Sequence, residues 1–136
     1  ISKWPWIARW QDTVLATVEA GATRLVSDRC PLDSAAHLKR GAEDLAVLVR
    51  QSFEELQEVG VEIRVVCLHG RFDYLTARIE ERLKREPWRV RYHENSPEEL
   101  LRRWQWYESM RHRWDATVDI EDKTGEQVAD LVEKFV

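Results

Sequence analysis

Apolar residues recur at every third or fourth position along most of this chain and at every second position in a few short stretches, which predicts helices punctuated by strands. After Trp4-Pro-Trp, the residues Trp10, Val14 and Val18 share one helical face, and the pattern stops near Gly21. Thr23 to Asp28 reads as a short strand. From Pro31 and Asp33 onward, Leu38, Ala42, Leu45, Val49, Phe53 and Leu56 keep helical spacing, with Gly41 a point of kinking and Gly60 a left-handed C-cap. Val61 to Leu68 is rich in β-branched residues and reads as a strand. Gly70 then releases a helix over Arg71 to Arg85, which Pro87 ends.

Trp88 to Glu94 alternates: Trp88, Val90 and Tyr92 face one way, and Arg89, Arg91 and His93 the other, as on a two-faced strand. Ser96-Pro-Glu-Glu99 supplies an N-cap, a proline at the first helical position and a capping-box glutamate. It predicts a helix from Pro97 to about Trp114. Ala116 to Glu121 alternates again, and Thr124 with Gln127 predicts a capping box on a last helix. The order is αβαβαβαβα. Helical connections favour a parallel sheet, but two of the four strands carry charges at alternate positions, as half-solvated sheets do. The expectation is therefore a single α+β domain over residues 1–136, with a four-stranded antiparallel or mixed sheet and helices packed mainly on one face.

Composition adds two things to this outline. The chain has seven tryptophans in 136 residues, and Trp88, Trp104, Trp106 and Trp114 fall in one arginine-dense stretch. The net charge of −4 also hides a segregation. Residues 1–60 hold seven Lys/Arg against nine Asp/Glu, residues 61–114 twelve against nine, and residues 115–136 two against seven. The middle is basic and the tail acidic. Apolar runs fall far short of the roughly 20 residues that span a bilayer, and no secretory leader is visible, so a cytoplasmic location is expected. Cys30 and Cys67 read as separate buried thiols. A start without methionine and an end on Phe135-Val136 read as an excerpt of a longer chain.

The basic middle offers candidate chemistry. On the helix over Arg71 to Arg85, a core stripe of Phe72, Leu75, Ile79 and Leu83 adjoins a ladder of Arg71, Tyr74, Arg78, Arg82 and Arg85. Solubility alone would also explain that ladder. On the helix from Pro97, the apolar positions spread over about 220° of the helical circumference, whereas one core-facing stripe needs about 100°. Either this helix is sandwiched between two layers, with Trp106 buried under snorkelling arginines, or its edge leaves an aromatic exposed, for which Trp106, flanked by Arg102 and Arg113, is the candidate. Arg89, Arg91 and His93 would line an open sheet face beside Arg64.

Rings stack on bases and guanidinium groups pair with phosphates. The candidate nucleic-acid-binding residues are thus Arg64, Tyr74, Arg78, Arg82, Trp88, Arg89, Arg91, Tyr92 and Trp106. The expected function is sequence-independent binding of single-stranded DNA or RNA in a basic-rimmed cleft, without catalysis. No element resembles a reading helix for the major groove. A protein-interaction surface is a further alternative, since the same residue types make protein hot spots. His37, His69, His93 and His112 share no metal-like spacing with each other or with cysteine, and the carboxylate groupings read as caps and turns. No metal, cofactor, general acid or general base is expected.

Two family resemblances follow from these stretches. Thr23-Arg-Leu-Val-Ser-Asp-Arg29, Ala77-Arg-Ile-Glu-Glu-Arg82 and Thr117-Val-Asp-Ile followed by Glu126-Gln-Val-Ala resemble the later part of thymidylate kinases. In that family the first motif touches the nucleotide, the second borders a lid, and the third is the last strand and helix. The five glycines form no phosphate-cradling loop ending in Lys-Ser/Thr, so that resemblance implies a nucleoside-monophosphate-kinase-like fragment without the phosphate-binding loop. In general character, an arginine- and glutamate-rich, tryptophan-heavy α+β domain is similar to the single-stranded DNA-binding domain of ThermoDBP from hyperthermophilic archaea. That resemblance implies an aromatic cleft lined by Trp88, Tyr92, Tyr74 and Trp106 and rimmed by Arg64, Arg78, Arg82, Arg89 and Arg91. It also implies a homodimer formed through a continuation of the C-terminal helix.

Overall fold

Helices dominate the computed structural model, which describes residues 4–135 and divides into two compact units, Ile1–Ile63 and Arg64–Val136. In the first unit, helix α1 (Trp4–Glu19) buries Ile7 and sets the Trp10 ring against Phe53 of α3 (Ala42–Glu58), with centroids 5.7 Å apart. The Ser52 hydroxyl on α3 donates to Gln11 Oε1 of α1 at 3.0 Å, so the one polar side chain buried among the described residues of this unit is satisfied. The short helix α2 (Asp33–Ala36) adds Leu32, Ala35 and Ala36 to a core completed by Ala46, Val49 and Leu56.

The long helical pattern beginning at Pro31 is broken into α2 and α3 at Gly41, whose φ of 74° no α-helix accepts. Gly60 closes α3 as expected. With φ at 89°, its N–H donates to Gln57 O at 2.9 Å and the next N–H, of Val61, reaches back to Leu56 O at 3.0 Å, a Schellman motif. Thr23 to Asp28 forms no ladder. It is held locally instead, because Trp10 Nε1–H donates to Ser27 Oγ at 3.0 Å and Ser27 Oγ–H to Arg29 O at 2.7 Å.

The second unit contains the sheet. Strand β1 (Val66–His69) pairs in parallel with β2 (Ala116–Asp119), in the register Val66 to Ala116 through His69 to Asp119. Between them run α4 (Phe72–Arg85), a 3-10 helix over Pro87–Tyr92, α5 (Pro97–Ser109) and a 3-10 turn over Arg111–Arg113; α6 (Gly125–Glu133) follows β2. Cys67, His69, Met110, Trp114 and Val118 are buried here. Both helix starts predicted from caps are present. Ser96 Oγ accepts from Glu99 N–H at 3.3 Å, and Thr124 and Gln127 exchange both bonds of a capping box.

The expected four-stranded antiparallel or mixed sheet does not form: among the described residues there are two strands, and they run parallel. Two of the four expected strands are absent: Thr23 to Asp28 makes no ladder, and Trp88 to Glu94 is not extended. Pro87 opens a 3-10 helix there, and His93, at φ 61°, ends it. In a 3-10 helix, side chains three apart eclipse. Trp88 therefore meets Arg91, and Arg89 meets Tyr92, so ring and guanidinium pair along the helix instead of parting to two faces of a strand. The pattern over 97–114 also exceeds its helix. α5 stops at Ser109, and the chain bends so that Met110 and Trp114 both reach the interior.

Candidate nucleotide-binding site

At the carboxyl end of the parallel pair, two connections are tied together. Gly70 follows β1, and a side chain at this position would meet Glu121 Cγ at 3.3 Å, so the chain passes close beneath the turn after β2. Glu121 accepts the backbone N–H of Arg71 at 2.7 Å and its Nε–H at 3.1 Å. The Asp122 N–H donates to the Tyr74 hydroxyl oxygen at 3.2 Å, and Arg78 Nη1 donates to the same oxygen at 3.3 Å. Under the strand ends, Trp104 Nε1–H donates to Gly70 O at 2.9 Å and its ring stacks on buried His69, whose Nε2 lies 2.5 Å from Glu108 Oε1. Burial works to raise the Glu108 pKa, but hydrogen bonds from Arg111 and His69 outweigh it and hold the group below its ordinary range.

The exposed side of α4 carries a groove of about 230 Å³ lined by Tyr74, Ala77, Arg78, Glu81 and Arg85. Its one carboxylate is already engaged, since Lys84 Nζ donates to Glu81 at 2.7 Å and draws the Glu81 pKa down. Neither Arg78 nor Arg85 makes an ion pair among the described residues; the Arg78 guanidinium instead lies 5.8 Å from the Tyr74 ring centroid. Two cations thus face solvent beside a phenol, an arrangement suited to an oxyanion.

The 3-10 helix after α4 holds the second cluster. Trp88 and Tyr92 meet edge to face at 6.0 Å and are 50% and 46% exposed, the most accessible aromatic pair of this unit. Both rings lie near two guanidinium groups, Arg89 at 5.2 and 5.7 Å and Arg91 at 5.0 and 5.1 Å. Buried Glu94 fixes one of these. It takes two hydrogen bonds from Arg89, at 3.0 and 2.9 Å, and one from Arg82 of α4 at 2.9 Å. Burial pushes the Glu94 pKa up, and the bonds from Arg89 with the nearby charge of Arg82 bring it below its ordinary value. The turn is also tied to α5, where Arg103 donates to Tyr92 O at 3.3 Å and to Glu99 at 3.1 Å.

Of the nine candidate residues, Trp88, Arg89, Arg91 and Tyr92 assemble on one turn, Arg82 joins them through Glu94, and Tyr74 and Arg78 share the α4 groove. Two do not join. Arg64 is exposed ahead of β1, and the open sheet face it was expected to share is absent. Trp106 packs edge-on against Tyr107 and Trp114 at 5.2 and 5.9 Å. Its Nε1 is enclosed, with no hydrogen-bond partner among the described residues. The pairings of Glu94 and Glu121, which organise the two clusters, escaped the sequence reading, which took Glu121 with Asp119 and Asp122 as caps and turn formers. Five positions separate Arg89 from Glu94 and fifty separate Arg71 from Glu121, so no local spacing announces either contact.

Among the described residues no group of three or more His, Cys, Asp or Glu could hold a metal ion, and no helix is long and apolar enough to cross a membrane. No family model, curated protein or solved structure matches the chain.

Proposed function

We propose that the chain recognises phosphate-bearing nucleotides as part of a nucleoside-monophosphate-kinase-like fold, with the ligand beyond the carboxyl ends of β1 and β2. The parallel ladder carries this reading. In open α/β sheets, ligands sit outside the carboxyl ends of the strands, and here that end leads through Gly70 and Arg71 into the arginine face of α4. The thymidylate-kinase resemblance supports the same assignment: its lid-bordering stretch, Ala77 to Arg82, lies on α4, and its last strand and helix correspond to β2 and α6. The sequence has no glycine-rich loop ending in Lys-Ser/Thr, so the proposal is binding without phosphoryl transfer. Titration calorimetry with thymidine mono- and diphosphate, adenosine diphosphate and inorganic phosphate tests it. Nucleotide binding that weakens on Arg78→Ala supports the reading; no heat with any of the four defeats it.

Single-stranded DNA or RNA binding by base stacking is a second reading, and the exposed Trp88–Tyr92 pair favours it. Exposed rings beside guanidinium groups suit bases already unstacked, with roughly 1–3 kcal/mol expected per stacked base. This is the activity that the ThermoDBP resemblance implies. Quenching of tryptophan fluorescence by oligo-dT, absent with duplex and fading as salt rises, supports it. Quenching by mononucleotides alone returns the decision to the first reading.

A further inference from the structure

We infer that Glu94 is a positioning residue that sorts the arginines of the aromatic turn, holding Arg82 and Arg89 in place and leaving Arg91 as the cation that meets a phosphate; this rests on the second reading above. Three observations lead there. One buried carboxylate takes the Arg89 fork through Nε and Nη2 and the Arg82 Nη2, so its two oxygens are shared between two guanidinium groups. The Arg89 side chain keeps only 17% of its surface exposed, and its fork is directed at Glu94, away from any incoming anion. Arg91 lies at matching distances from the same two rings, is exposed, and makes no ion pair among the described residues.

The consequence is a division of labour. Arg89 braces the Trp88–Tyr92 pair while anchored below, which keeps both rings presented at a fixed angle. A base laid on either exposed ring then brings its phosphate to Arg91, whose N–H donors are uncommitted. Arg82 carries the anchor into α4, so the orientation of the turn depends on a contact between residues twelve apart in sequence, Arg82 and Glu94.

Charge alone and positioning predict opposite outcomes for Glu94→Gln. Removing a negative charge from a basic cluster strengthens anion binding if the carboxylate is only an electrostatic neighbour. If it positions the arginines, the neutral amide can satisfy at most part of that geometry, and binding weakens by about tenfold, equivalent to roughly 1.4 kcal/mol. The experiment is fluorescence-anisotropy titration of labelled oligo-dT across a salt series with the full chain and with Glu94→Gln, Arg91→Ala and Arg89→Ala, each checked for folding by circular dichroism. The inference expects weaker binding by Glu94→Gln, and a salt slope that falls by about one for Arg91→Ala while staying unchanged for Arg89→Ala. Unchanged or tighter binding by Glu94→Gln overturns it, as does a slope change that follows Arg89. If Glu94→Gln does not fold, the contrast between the two arginine variants decides alone. Failure of the unaltered chain to bind oligo-dT at any salt removes the second reading and the inference with it, whereas binding that ignores Glu94 removes only the inference.

Discussion

Glu121 accepts both the backbone N–H and the side-chain Nε–H of Arg71, fifty residues earlier, and so ties the turn after β2 to the start of α4. A carboxylate that caps a helix start and clamps a guanidinium also keeps Arg71 from serving as a free cation at the strand ends. Glu121→Gln should therefore lower the melting temperature by several degrees and, with only the looser Asp73 pair at 3.8 Å left to Arg71, increase the salt sensitivity of any anion binding at this end. Thermal unfolding by circular dichroism and nucleotide titration at two ionic strengths measure the two effects. An unaltered melting temperature would show that this tie is dispensable.

Glu99 gives the clearest pH dependence. Hydrogen bonds from Arg102 lower its pKa to about 2 against the opposing effect of burial, and Arg103 adds to the depression. A depressed carboxylate stabilises the fold above its unfolded value, and that contribution is lost as pH falls through the folded value. Stability should accordingly erode between the ordinary value of 4.5 and about 2. Glu99→Gln should flatten that acid limb while leaving the neutral-pH shape of the curve unchanged, as followed by urea midpoints across pH. Partial exposure of the arginine partners limits the size of the effect.

Trp106 offers a test of enclosure without partnership. Its indole N–H is shut away from water and unpaired, whereas its rings pack against Tyr107 and Trp114. Trp106→Phe keeps an aromatic body and deletes the unsatisfied donor, so stability should hold or rise by up to about 1 kcal/mol. Trp106→Ala should cost roughly 3 kcal/mol through the cavity it opens. Denaturant titration of both variants distinguishes packing from stacking, and oligo-dT affinity should follow neither change.

Thr124→Ala removes one side of the capping box on α6 and should destabilise by about 1 kcal/mol, with Gln127→Ala losing less than the same amount again because the pair acts together. A double-mutant cycle read by chemical denaturation checks the coupling; strict additivity would deny it.

Local rules were readable in the sequence. Ser96, Pro97, Thr124 and Gln127 marked helix starts, and Gly60 marked a stop, because each acts within one turn of its own backbone. What was not readable was pairing between distant segments. Alternation in Trp88 to Glu94 has the period of a strand, but Pro87 and the preference of rings for guanidinium groups three residues away turn it into a 3-10 helix. Charged positions in strand-like stretches pointed to an antiparallel or mixed sheet, whereas two short parallel strands suffice here and leave the remaining charges to turns and helix faces. The ring and arginine members of the site were recoverable from composition. Their carboxylate organisers were not, since Glu94 and Glu121 look like any other glutamate until the chain folds back on itself.

A ladder of two four-residue strands leaves half of each strand's backbone groups pointing away from its partner. Those outward amides should trade their protons with solvent deuterium well ahead of the inward ones, giving β1 and β2 a two-speed isotope pattern at alternate positions.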